Sequence, residues 1–222
     1  IRKLRGSEIT LSEIPFTIIE KKGIYVHIPR VPGEIVEEGD VLNFPCEKLS
    51  EAIGVLKKGM NILITYPPDA RSPTFILPLL TLIVVNKLKT LVVSYLYSPP
   101  VIREIILHLV SRFTDNPDIV KHILDEYVIT KSFNPFSMSI EELYLKELDL
   151  IDRLRDVNAV VFHAVDIPAL AIDLKRYIKY LYNQLAYLKQ RRLLTIRISS
   201  NIDRSVYKVN AAISDVIIKF IP

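Results

Sequence analysis

Short uninterrupted apolar runs alternate along most of the chain with longer stretches whose apolar residues return every three or four positions. Asn61-Ile-Leu-Ile-Thr65, Thr90-Leu-Val-Val-Ser94, Asn158-Ala-Val-Val-Phe162 and residues 193–198 read as strands buried on both faces, and residues 127–130 as a further strand. Between them the helical period predicts helices over 48–57, 75–88, 99–113, 118–125 and 167–192. The helix from Pro99 carries proline in its first turn. Ser139-Ile-Glu-Glu142 is a capping box that opens another helix, to about Leu154. Residues 211–220 read as a terminal strand segment. Before residue 46 the pattern is different. Residues 16–20 and 24–28 flank Lys21-Lys22-Gly23 as a hairpin, and 34–44 offers a strand around a Glu38-Gly39-Asp40 turn. The expectation is a small N-terminal β segment over 1–45 and an α/β domain over 46–222, its mostly parallel sheet covered by helices on both faces. Ligands of such sheets bind beyond the carboxyl ends of the strands.

Composition narrows this little. Hydrophobic residues make up 50% and charged residues 24% of 222, so the chain has enough apolar mass for a sizeable core. A net charge of +4 is a modest basic excess of the kind that serves solubility. The single cysteine, Cys46, rules out an internal disulfide and fits a reducing cytoplasm, and the four histidines show no metal-ligand spacing. The charged start Ile1-Arg2-Lys3-Leu4-Arg5, followed by Glu8 and Glu13, does not read as a signal peptide. The apolar stretch 74–97 is interrupted by Asn86, Lys87 and Lys89, so each half is too short to span a bilayer. The bias toward Ile, Leu, Lys and Glu looks thermophilic.

Glu47-Lys-Leu-Ser-Glu-Ala-Ile-Gly54-Val-Leu-Lys-Lys58-Gly59-Met-Asn-Ile-Leu-Ile-Thr65 resembles the lead-in to the phosphate loop of archaeal-type RecA/KaiC/RadA ATPases. Leu91-Val-Val-Ser94 followed by Ser98-Pro-Pro-Val-Ile-Arg-Glu resembles that family's second strand and its helix. Val157 to Phe162 resembles the strand ending in the Walker B aspartate, and Ala212 to Phe220 the terminal strand. The resemblance covers residues 46 to 220 and implies a RecA-like sheet. The signature that would carry the chemistry is missing. A phosphate loop has the form G-x-x-x-x-G-K-[ST], in which glycines let backbone N–H groups close on phosphates. Here Tyr66 and Arg71 replace the two glycines, Ser72 the lysine, and Pro73 the hydroxyl that binds Mg²⁺, while Asp69 adds a negative charge. Gly59 is the last of six glycines, so no Gly-rich loop exists beyond it. His163 stands at the Walker B position, and Leu96 and Tyr97 stand where the catalytic glutamate belongs.

The resemblance therefore implies a pseudo-ATPase with no catalytic residue, no metal and no cofactor. It would be a structural or regulatory subunit that assembles with itself or with an active family member. Whatever remains of a nucleotide site would involve Tyr66, Asp69, Arg71, Ser72 and Thr74, with the Tyr66 and Arg71 side chains filling part of the nucleotide's space and Arg71 paired with Asp69. Two alternatives stay open: an ATP-binding paralogue in DNA recombination or repair, and a nucleic-acid-binding accessory protein. His163 reads more simply as a strand-end histidine bonded to neighbouring backbone, and Asp166 and Asp173 as carboxylates at a helix N-terminus. Tyr177, Tyr180, Tyr182 and Tyr187, with Arg176, Lys179, Lys189, Arg191 and Arg192, offer a stacking and basic surface. A helix half buried against the sheet accounts for them equally.

Overall fold

The computed structural model describes residues 16–19, 23–26, 39–44, 46–68, 75–114 and 116–220. Its centre is a six-stranded sheet of β5 (Asn61–Thr65), β6 (Thr90–Ser94), β7 (Val128–Ser132), β8 (Ala159–His163), β9 (Leu194–Ser199) and β10 (Val216–Lys219). The spatial order is β10-β5-β9-β8-β6-β7, and every neighbouring pair is parallel. This is the α/β class expected from the apolar runs, and it is consistent with a RecA-like sheet.

Successive side chains of a strand point to opposite faces, so each central strand feeds two cores. On one face Ile62, Ile64, Val92, Val161 and Ile196 pack against α2 (Ile76–Val85), α3 (Pro99–Val110) and α4 (Pro117–Tyr127). On the other, Leu91, Val93, Val160 and Phe162 pack against α5 (Ile140–Arg153), α6 (Asp166–Leu170), α7 (Leu174–Gln190) and α8 (Arg204–Ala212). Helix α2 connects β5 to β6 across the two strands that lie between them.

Two short antiparallel pairs complete the described structure. β1 (Phe16–Ile19) pairs with β2 (Gly23–Val26), as the hairpin reading requires. β3 (Val41–Leu42) pairs with β4 (Leu56–Lys57), and Gly39 lies so close to Lys58 that a Cβ would fall 2.1 Å from its carbonyl oxygen. The strand expected over 34–44 is described only in this last part.

Three expectations need correction. The helix expected over 48–57 is α1 (Glu47–Ile53), which stops at Gly54 with φ of 74°, after which the chain turns extended to form β4. Glycine takes this positive φ without the Cβ clash other residues meet, and the pairing with β3 claims the residues beyond it. The single helix expected over 167–192 is two helices, α6 and α7, because the Asp173 carboxylate accepts from Arg176 N–H and starts a new helix there. The strand expected over 211–220 is only β10; residues before it form α8, capped by Asp203, whose side chain accepts from Ser205 and Val206 N–H.

Candidate functional site

The carboxyl ends of β5, β6, β8 and β9 meet at one edge of the sheet, and the residues just beyond them build the candidate site. Ser94 ends β6 beside His163, which ends β8, in direct register. Ser94 Oγ accepts from the backbone N–H groups of Leu96 (3.2 Å) and Tyr97 (2.9 Å). It also lies 3.0 Å from His163 Nδ1. A hydroxyl has one proton and two lone pairs, and both lone pairs are taken by backbone donors. Ser94 therefore donates to Nδ1, and His163 carries its own proton on Nε2. Burial pushes the His163 pKa down to about 4, so the imidazole is neutral at ordinary pH. The Tyr97 ring stacks on it with centroids 5.5 Å apart and planes 20° from parallel. The histidine is thus bonded to a side chain, where a backbone partner was expected.

Ala164 then turns the chain with φ of 61°, a conformation that costs a residue with a Cβ about 1 kcal/mol. The turn brings Asp166 inward. Its carboxylate is buried and accepts from Ser199 Oγ (2.7 Å), Ser200 N–H (2.7 Å) and Ser200 Oγ (3.1 Å). This ties the ends of β8 and β9 together. Asp166 stands at a helix start as expected, with its oxygens held by hydrogen bonds.

Tyr66, directly after β5, donates its N–H to Ser199 O (3.1 Å) and packs its ring against Phe75 at 5.4 Å. Burial, with a smaller push from Asp166 and Tyr97, raises its phenol pKa, so it too is uncharged. Of the five residues expected at a degenerate nucleotide loop, Tyr66 is the one described. Asp69, Arg71, Ser72 and Thr74, with the expected Arg71–Asp69 pair, lie outside the described residues.

Behind this mouth a cleft of about 810 Å³ runs between α2 and α3 over the sheet. Its floor is Val92, Val161 and Ile198, and its walls include Leu79, Ile83 and Ile102. Tyr66, Tyr97, His163, Asp166 and Ser200 line its carboxyl end. Among the described residues no Lys or Arg lines it, whereas Glu104 and Asp166 do. A phosphate chain needs N–H donors and cations, so the described lining is poorly suited to one. No group of three or more His, Cys, Asp or Glu side chains able to hold a metal occurs among the described residues.

Reasoning from sequence pointed to Tyr66 and His163, and to Asp166 only as a helix-start carboxylate, but missed Ser94, the bonds of Asp166 to Ser199 and Ser200, and the cleft. The serines carried a signal: Ser94 and Ser199-Ser200 are hydroxyl residues at the ends of buried apolar strands, where a side chain meets free backbone groups. The cleft had none, because the residues that line it are the same types that fill a core.

On the opposite face Tyr177, Tyr180 and Tyr187 are buried and Tyr182 is exposed. Arg176 pairs with Glu141 at 2.9 Å and Arg191 with Asp152 at 2.6 Å, so part of the basic character of α7 is matched by acids on α5. No described helix is long and apolar enough to cross a membrane. Compared with known proteins, the chain matches no family model and no curated relative.

Proposed function

We propose that this chain is a RecA/KaiC-like pseudo-ATPase, a structural or regulatory subunit that works through protein–protein assembly and not through ATP turnover. The observation that carries the reading is His163. At the position where the resemblance calls for a metal-binding carboxylate there is a neutral imidazole, locked to Ser94 and stacked under Tyr97. Mg²⁺ takes hard oxygen ligands in octahedral geometry, and a buried neutral ring with its Nδ1 engaged is a poor substitute. The one carboxylate close by in sequence, Asp166, is already engaged by three hydrogen bonds from Ser199 and Ser200. Tyr66 supports the same reading, since its ring stands at the first glycine position and packs on Phe75.

Assembly with itself or with an active family member finds support in an apolar stripe along α7. Leu174, Ile178 and Tyr182 fall at successive four-residue steps and are 37%, 41% and 66% exposed. Large exposed apolar patches on a folded domain mark interaction surfaces.

The test is a calorimetric titration with Mg-ATP together with a phosphate-release assay. The expected result is no heat of binding and no turnover above background. Turnover that survives repurification and vanishes in a point variant of this chain overturns the proposal. Stoichiometric Mg-ATP binding without turnover transfers support to an ATP-binding paralogue. Tight, steeply salt-dependent binding to single-stranded or duplex DNA transfers it to a nucleic-acid accessory role.

A further inference from the structure

Protein interiors leave few voids larger than a water molecule, and apolar cavity volume costs on the order of 24 cal/mol per Å³. The α2–α3 cleft, at about 810 Å³, is far beyond a packing fault and falls in the range of small-molecule sites, roughly 300–1,000 Å³. It has an apolar interior and one polar end. The interior is formed by Val92, Val161 and Ile198 below and by Leu79, Ile83 and Ile102 at the sides. The polar end gathers Tyr66, Tyr97, His163 and Ser200. Exposed Leu96 and Ile202, 53% and 55% accessible, form an apolar rim there.

We propose that this cleft binds an uncharged small molecule with an elongated apolar body and a hydrogen-bonding head, the body lying between α2 and α3 and the head at the carboxyl ends of β6 and β8. The charge of the ligand follows from the lining. An anion would face Glu104 and Asp166 with no Lys or Arg among the described lining residues to balance it. A cation would find Asp166 already holding three hydrogen bonds and, as the other carboxylate among the described lining residues, only the solvent-exposed Glu104. The head group follows from the tautomer. Because Ser94 donates to Nδ1, the remaining donor of His163 is Nε2–H, and it makes no hydrogen bond among the described residues. A neutral acceptor such as an alcohol, ketone or amide oxygen matches it. This inference goes beyond the pseudo-ATPase reading and stands or falls separately.

The experiment uses N-phenyl-1-naphthylamine, a neutral apolar probe whose emission rises in apolar surroundings, titrated into the full chain. Saturable enhancement at one probe per chain is expected. 1-Decanol should displace the probe, and decanoate, with the same apolar body but a negative charge, should do so about tenfold less well or worse. Ile105→Trp, which places a large ring in the cleft from a half-buried position, should weaken probe binding about tenfold or more while the melting temperature stays near that of the parent. Should that variant misfold, Ile202→Asp at the exposed rim provides the same readout. His163→Phe should keep the probe and lose affinity for 1-decanol. Absence of saturable enhancement overturns the proposal, as does equal competition by decanoate and 1-decanol. Unchanged binding in a folded Ile105→Trp or Ile202→Asp chain overturns it as well. Probe binding together with ATP turnover would sink the pseudo-ATPase reading and leave this one intact.

Discussion

Glu147 on α5 is fully buried and faces no cation among the described residues; its carboxylate accepts from Tyr95 OH (2.6 Å), Tyr180 OH (2.8 Å) and Gln184 Nε2 (2.5 Å). Burial raises its pKa from 4.5 to about 7 against the opposing pull of those three donors. Below pH 4.5 the group is protonated folded or unfolded and contributes nothing to pH dependence. Between 4.5 and about 7 the unfolded chain releases the proton and the folded chain keeps it, so stability falls as pH rises. At 1.36 kcal/mol per pKa unit the loss above neutrality is about 3 kcal/mol. Glu147→Gln mimics the protonated acid, and denaturant unfolding from pH 4 to 9 should show this slope in the parent and little of it in the variant; parallel profiles would refute the assignment. Arg197 on β9 poses the mirror case. It is buried, its partners are Tyr177 OH (3.0 Å) and Asn210 Oδ1, and its Nη1 makes no hydrogen bond among the described residues. Removing one partner of a buried charge costs more than removing the charge, because the orphan stays buried. Asn210→Leu should therefore destabilise by about 2 kcal/mol or more, and Arg197→Met by less. Adding Arg197→Met to Asn210→Leu should recover part of the loss in a double-mutant cycle; an additive cycle would show that the two side chains do not act together.

Among the elements, strands were more legible than helix ends. Runs of three or four apolar residues bounded by polar ones mark β5, β6 and β8 directly, since a strand covered on both faces has no polar side to hide. The break between α6 and α7 was not legible because Ala171-Ile172-Asp173 fits the apolar period of one continuous helix; only the Asp173 cap, a side-chain to backbone bond, distinguishes them. Helix α8 was missed for a related reason. Its buried residues are Val206 and Asn210, too few apolar positions to raise a helical signal, and its start depends on Asp203. Asp203→Ala should accordingly lower stability by about 1 kcal/mol, as loss of an N-cap does, and should lower protection of α8 amides in hydrogen exchange. A fully stable variant would mean that packing of Val206 and Asn210 alone fixes α8. The same contrast applies to the candidate site. Absence of glycine after Gly59 is visible in any reading of the sequence, whereas the pairing of Ser94 with His163 needs β6 and β8 to be neighbours, and two residues 69 positions apart carry no local trace of that.

At the scale of the molecule, the question is which surface assembles. The parallel sheet ends in two edge strands, β10 and β7, whose unpaired backbone groups are the usual template for strand addition. Both carry lysine, Lys219 on β10 and Lys131 on β7, and charged side chains on an edge discourage such pairing. The stripe of Leu174, Ile178 and Tyr182 on α7 holds no charge at its own four-residue steps, although exposed Lys175 and Lys179 flank it. Leu170 at the end of α6, four residues before Leu174, is also exposed, and α6 contacts the turn Pro135–Ser137, whose Phe136 is exposed. A single helical stripe is short of the roughly 1,000 Å² that a specific interface needs, so an interface here has to take in the neighbouring apolar residues as well. Assembly through this face should show as a concentration-dependent mass above 25.5 kDa in sedimentation equilibrium. Ile178→Glu with Tyr182→Glu places two carboxylates at the centre of the stripe. The double variant should sediment as a monomer, with unchanged far-UV circular dichroism because neither side chain belongs to the buried core. A parent chain that is monomeric at every concentration would exclude self-assembly through α7, leaving assembly with a different chain to be tested by mixing. A double variant that associates as strongly as the parent would move the interface to another face, with the β10 edge the next candidate.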